Sequence, residues 1–182
     1  MKSIRHGISI TLLSFFALAL FPMSSNAACT KKIDEAFEGR GYKDWQPVFD
    51  GGEISLGQGY EGQGLSITRS FAGGDQFTHL ERELPQSWAG KTIKVEAMVR
   101  YKIIGGGRTF HHAGHIDLEV FDRNGKAQYP QWDQIVGSQT EWKQRFSTLL
   151  IPADAATIYF RIGLQGVVGQ IDFDNIRIYL CD

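Results

Sequence analysis

From residue 92 to residue 104 the chain alternates in character. Ile93, Val95, Ala97, Val99 and Tyr101 take one set of positions, and Lys94, Glu96, Met98, Arg100 and Lys102 take the other. Helical side chains return to one face every 3.6 residues, whereas successive strand residues point to opposite sides. The stretch therefore predicts a strand with one face in a core and one in water, as in an antiparallel sheet. The same period recurs at 115–121, with Ile116, Leu118 and Val120 inward and His115, Asp117 and Glu119 outward. It recurs again at 142–150, at 157–164 with Ile158, Phe160, Ile162 and Leu164 inward, and at 171–180. Shorter strands are expected at 64–68 and 77–84. Asn124-Gly125 is a strong hairpin signal, and Pro152-Ala153-Asp154-Ala155 separates two further strands. A helix could start only over 33–37, where Gly39 and Gly41 would end it. About eight strands without substantial helix make an all-β sandwich or barrel. No repeat or linker divides them, so one domain is expected over residues 29–182.

The first 28 residues read differently. Lys2 and Arg5 precede an uncharged apolar run from residue 8 to 21, Pro22 interrupts it, and Ser25-Asn26-Ala27 offers small residues around a cleavage point. This is the pattern of a signal peptide over 1–28, so the mature protein is expected to be secreted or periplasmic. The run is too short to span a bilayer comfortably. Removing Lys2 and Arg5 from a formal net charge of −1 leaves about −3. Without a basic stretch to neutralise phosphates, nucleic acid is not expected as a partner. No second apolar segment suggests a membrane span, and no organic cofactor is expected.

The chain has two cysteines, Cys29 and Cys181. In an oxidising compartment they read as one disulfide joining the first and last strands of the mature chain. The competing reading makes Cys29 a lipid-bearing first residue, because Ala27-Ala28-Cys29 partly fits a lipidation signal. Against it, Asn26 stands where leucine is usual, and Cys181 would be left over.

Four stretches resemble a known pattern. Gly90-Lys91-Thr92-Ile93-Lys94-Val95-Glu96-Ala97-Met98-Val99-Arg100 is similar to an internal strand of jelly-roll carbohydrate-binding modules. Thr140-Glu141-Trp142, followed by Phe146 and Leu150-Ile151-Pro152, is similar to a second segment. Phe173-Asp174-Asn175-Ile176-Arg177-Ile178 resembles their closing strand, and residues 59–67 resemble an early one. Together these cover most of residues 48–180. They resemble the family four, nine and twenty-two modules of the galactose-binding-like superfamily most closely. The resemblance implies a jelly roll that binds a glycan or polysaccharide on a concave sheet face or loop edge, and it places Trp142 in the core. It also implies a structural calcium held by Asp174 of the closing strand with Asp50 or Glu53 of an early loop. Calcium needs six to eight oxygens, and Asn175 stands where the family's second aspartate would add a charge.

Sugar recognition needs planar polar groups for paired hydroxyls and an aromatic ring for the C–H face of the pyranose. Arg100, Asp117, Glu119 and Arg161 offer the first, Tyr159 and Trp132 the second, and His115 adjoins them on its strand. Trp132 lies in a polar stretch with Tyr129, and exposed aromatics on loops are binding candidates. His111, His112 and His115 would converge on zinc from a helix. The glycines at 105–107 and 114 argue for an extended loop, where His111 and His115 share a side and His112 does not. A catalytic alternative uses Asp117 and Glu119, whose Cα atoms lie about 7 Å apart along a strand. That separation is compatible with an inverting glycosidase, and a lyase could use His115. The expected function is a non-catalytic glycan-binding module. The alternatives are a small hydrolase or lyase, and an adhesive envelope protein that binds another protein.

Overall fold

The computed structural model describes residues 28–39, 41–71, 76–106, 111–130 and 132–181. The expected signal peptide therefore falls outside the described residues, apart from residue 28. Twelve strands are described: β1 (Cys29–Glu35), β2 (Gln46–Phe49), β3 (Gly52–Gln58), β4 (Gln63–Arg69), β5 (Phe77–Leu84), β6 (Thr92–Gly106), β7 (Ala113–Asp122), β8 (Ala127–Gln128), β9 (Trp132–Ile135), β10 (Ser138–Leu150), β11 (Ala155–Gln165) and β12 (Val167–Cys181). Every described pairing is antiparallel. Sheet I runs β10-β6-β12-β4-β3, with β1 also on β12, and sheet II runs β2-β5-β11-β7-β8, with β9 also on β7. Two antiparallel sheets face to face make the expected sandwich, consistent with a jelly roll.

The core lies between the sheets and is built by the alternation. Ile93, Val95, Ala97 and Val99 of β6 meet Ile116, Leu118 and Val120 of β7 and Ile158, Phe160, Ile162 and Leu164 of β11. A buried side chain of this size contributes roughly 1.5–3 kcal/mol relative to exposure, which is why period two governs the fold. The hairpin between β7 and β8 forms at the expected place. Asp122 Oδ1 accepts from the backbone N–H of Asn124 and Lys126, and Gly125 takes a φ of 77° that few other residues tolerate.

Two expectations are corrected here. Residues 33–35 are not helical. They belong to β1, where Ile33, Asp34 and Glu35 pair with Ile178, Arg177 and Ile176 of β12, so strand pairing overrides a weak local preference. Trp142 is half-buried on the outer side of sheet I, beneath the Arg100 guanidinium at 4.7 Å, and does not join the core. Trp45 and Trp88 do, with Trp45 between the Phe37 and Phe160 rings at 6.3 and 5.8 Å.

Cys29 and Cys181 stand directly opposite in the β1–β12 register and form a disulfide. The Cys29 thiol is thereby occupied. No described helix is long and apolar enough to cross a membrane.

Candidate functional site

Three strands of sheet II set the site by register. Arg161 of β11 stands opposite Glu81 on one side and Asp117 on the other. Tyr159 stands opposite Glu83 and Glu119, and Gly163 opposite His79 and His115. Because alternate residues share a side, these nine positions form a three-by-three field on the face turned away from the core. Phe77 and Gln165 extend it at one end.

At the centre, Arg161 makes a two-pronged bond to Asp117, Nε to Oδ1 and Nη2 to Oδ2, both at 2.9 Å. Its Nη1 lies 3.2 Å from Glu119 Oε2. The guanidinium carbon sits between two rings, 5.6 Å from the Phe77 centroid and 5.3 Å from that of Tyr129. The Tyr129 hydroxyl donates to Glu119 Oε1 at 2.7 Å. Arg161 and Asp117 are 2% and 1% exposed, so this ion pair is a buried brace and presents no edge to solvent. Burial works against the Arg161 charge, but the Asp117 and Glu119 carboxylates outweigh it and hold its pKa above the ordinary value.

Beside the brace, the His115 and His79 rings meet edge to face at 6.0 Å across Gly163. His115 is fully buried, and burial above all pushes its pKa down to about 3, so its imidazole is neutral. Gly163 is required there, because a Cβ would lie 2.4 Å from the Thr78 carbonyl oxygen and 2.6 Å from His79 Cα. Among the described residues, His79 Nδ1 and Gln165 Oε1 are buried polar atoms without a hydrogen-bond partner on this face.

The open end of the field is the Glu83–Tyr159–Glu119 row, with the Tyr129 hydroxyl on Glu119. Tyr129 is 53% exposed, Tyr159 is half-exposed, and the Phe121 ring meets Tyr159 edge-on at 6.3 Å. Burial and the Glu83, Glu81 and Glu119 carboxylates raise the Tyr159 pKa. Burial and Glu119 raise that of Tyr129, so both phenols keep their protons.

Sheet II thus brings together His115, Asp117, Glu119, Tyr159 and Arg161. Trp132 of β9 pairs through its backbone with Asp117, and its side chain lies outside the described part. Arg100 does not join them. It lies on β6 in sheet I, bonded to Asp172 at 2.6 Å. Phe77, His79, Glu81, Glu83, Tyr129 and Gln165 also belong to the field and were not selected from the sequence. Phe77, His79, Glu81 and Glu83 alternate with Thr78 and Leu80 along residues 77–83, and that is the signal that identifies these four.

The carboxylates expected around calcium do not converge. Glu53 pairs with Thr68, and Thr68 with Gln170, which places Glu53 two strands across from β12 and four residues along it from Asp174, an offset of roughly 13 Å along the strand direction alone. Asp50 is exposed, and its carbonyl accepts from Arg69 Nη1 at 2.7 Å. Asp174 is buried and accepts from the backbone N–H of Glu61 through Oδ2 and of Asn175 through Oδ1. Glu53 and Asp174 therefore do not share one calcium shell. Among the described residues no three His, Cys, Asp or Glu side chains are arranged to hold a metal ion. The His111 and His112 rings meet edge to face at 5.9 Å, with His112 against Gly166.

No family model matches the sequence, and no curated protein matches it. Solved structures do share its architecture. The C-terminal family 22 carbohydrate-binding module of Clostridium thermocellum Xyn10B matches 83% of this chain and 93% of its own, with a TM-score of 0.58 and 18% identity. The tandem of two family 22 modules from Paenibacillus barcinonensis Xyn10C matches 86% of this chain with a TM-score of 0.60 and 15% identity. This chain spans about half of that tandem, 47% of its length. The K3 cleaved adhesin domain of Lys-gingipain from Porphyromonas gingivalis matches 82% of this chain and 99% of its own, with a TM-score of 0.51 and 14% identity. The likeness to jelly-roll carbohydrate-binding modules read from the sequence therefore holds in three dimensions, as a likeness of fold.

Proposed function

We propose that this chain is an exported, non-catalytic carbohydrate-binding module that takes a neutral glycan at the open end of sheet II. The observation that carries the reading is the in-register row Glu83–Tyr159–Glu119, with the exposed Tyr129 bonded to Glu119 at one end. It supplies an aromatic face for a pyranose beside carboxylates that accept from hydroxyl pairs. The field holds Glu81, Glu83, Asp117 and Glu119 against the single cation Arg161. That balance repels polyanions and suits an uncharged ligand.

The same contacts argue against hydrolysis. Both Asp117 oxygens are held by Arg161, and Glu119 is shared between Arg161 and the Tyr129 hydroxyl. A general acid or base must reach the proton it moves, and Asp117 and His115 lie beneath the surface. Export rests on the signal-like residues 1–28 and is supported by the Cys29–Cys181 disulfide.

The test is titration of xylo-, cello- and mannohexaose, with hexagalacturonate as the anionic counterpart. Tyr129→Ala and Tyr159→Ala should each weaken binding of a neutral hexaose by about tenfold, or about 1.4 kcal/mol. Unchanged binding in both variants, or preference for the anionic chain, contradicts the reading.

A second reading, an adhesive protein, draws on Phe146 and Leu150. They are 65% and 52% exposed on the edge strand β10, and exposed apolar residues there favour contact with a protein. Retrieval of a protein partner by the wild type and not by Phe146→Ser would favour it.

A further inference from the structure

The outward face of sheet I carries two depressions, although a plain antiparallel sheet presents a smooth pleated surface there. One, of about 230 Å³, is lined by Arg100, Tyr101, Lys102, Thr140, Gln170 and Asp172. The other, of about 220 Å³, is lined by Tyr60, Glu96, Met98, Gln144, Asn175 and Arg177 among others. Both lie on the same two strands. Lys102 pairs with Gln170, Arg100 with Asp172, Met98 with Asp174 and Glu96 with Arg177. The depressions are therefore consecutive along β6 and β12, and together they make one line across the face.

Each coincides with a break in sheet register. The β10–β6 ladder shifts between Gln139 and Lys143, beside Thr140. The β12–β6 ladder shifts between Asp174 and Arg177, where Asn175 takes a φ of 48°. Bulges of this kind re-aim side chains, and they gather next to binding and active sites. A non-glycine residue in the left-handed region is uncommon and adds to the cost of keeping the second bulge.

The lining also has the chemistry of a sugar site. Asp172 is a nearly buried carboxylate on a surface face. It is held by Arg100 Nε at 2.6 Å and by Gln170 Nε2 at 2.8 Å, and Gln170 also reaches Ser66 Oγ at 3.2 Å. This chain fixes a guanidinium, a carboxylate and an amide as neighbours, with the Trp142 ring beneath Arg100. Tyr60, 50% exposed, supplies a free ring to the second depression. The charges balance. Arg100, Lys102 and Arg177 stand against Asp172, Glu61 and Glu96. A line of donors and acceptors without net charge suits a hydroxylated neutral chain and gives no advantage to a polyanion.

We propose that the outward face of sheet I is a second glycan-binding site, on the opposite side of the sandwich from the field on sheet II and independent of it. A molecule with two such faces can engage two chains, or two stretches of one chain, and gains avidity on a polymer.

The test follows the Gln170 side-chain amide and the Trp142 indole N–H by NMR while xylo-, cello- or mannohexaose is added, with hexagalacturonate alongside. At least one neutral hexaose should move both signals in the wild type and in Tyr129→Ala/Tyr159→Ala. Tyr60→Ala/Gln170→Ala replaces two exposed residues and should keep the wild-type thermal midpoint. It should weaken this second binding event by about fivefold or more. The proposal fails if no neutral hexaose moves either signal, if hexagalacturonate binds as tightly, or if Tyr60→Ala/Gln170→Ala binds like the wild type. Loss of all binding in Tyr129→Ala/Tyr159→Ala alone would leave the sheet II site standing and remove this one. Binding that survives there but is lost in Tyr60→Ala/Gln170→Ala would do the reverse.

Discussion

Arg161 and Asp117 face each other across β11 and β7 in direct register and share two bonds of 2.9 Å, both side chains all but closed to solvent. Asp117→Ala would strand a buried guanidinium with Glu119 as its remaining partner. Removing one member of a buried pair costs about 3–5 kcal/mol, whereas replacing both by apolar residues of similar volume is often near neutral. Urea denaturation should therefore show Asp117→Ala well below wild type and Asp117→Leu/Arg161→Met much closer to it. Equal losses would mean that the pair itself contributes the stability.

His115 gives the fold a pH signature. Its folded pKa of about 3 lies below the ordinary histidine value of 6.5. The unfolded chain therefore binds a proton in this range that the native protein refuses. Its contribution is complete above about pH 6.5 and is lost as pH falls toward 3, at a slope approaching about 1.4 kcal/mol per pH unit. His115→Gln should flatten the dependence between about pH 6.5 and 4.5, above the range where ordinary carboxylates titrate. Parallel stability curves for the two proteins across that window would refute this account.

Period two told which way each long strand faces. That is why Ile116, Leu118 and Val120 were legible as core, and Asp117 and Glu119 as their opposites. It does not tell which sheet a strand joins. Arg100 carries the same outward pattern as Arg161 and yet lies in the other sheet, because strand order is set by long-range pairing. Nor does it tell whether an outward face stays wet. His115 and Asp117 point away from the core and are nevertheless buried, with the Phe77 and Tyr129 rings over the neighbouring Arg161. The calcium expectation meets the same limit. Asp50, Glu53 and Asp174 match the motif in order, but register separates Glu53 from Asp174 along β12.

Gly163 marks the place where backbone approach decides the site. It pairs with His79 and His115 on either side, and a methyl group there would press on the backbone of β5. A backbone carbonyl cannot swing aside as a flexible side chain can, so Gly163→Ala must separate β11 from β5 locally. Overpacking of this kind costs about 1–3 kcal/mol. Thermal unfolding should show a clear loss for Gly163→Ala and little change for Gly57→Ala, where a Cβ meets nothing within 4 Å. A Gly163→Ala protein as stable as the wild type would mean that the strands are less tightly apposed than described.

The Cys29–Cys181 disulfide closes a separation of 152 residues. In the chain-entropy account, a loop of that size stabilises by roughly 5 kcal/mol through restriction of the unfolded chain. β1 also pairs with β12 over six registered positions and buries Ile33 against the core. The reduced protein should therefore keep its sheets, and the loss should fall mainly on the unfolding equilibrium. Cys29→Ser/Cys181→Ser is expected to retain the wild-type far-ultraviolet circular dichroism in buffer and to unfold at a markedly lower urea midpoint. A midpoint unchanged by the double substitution would place the stabilising constraint in the strand pairing and not in the covalent bond.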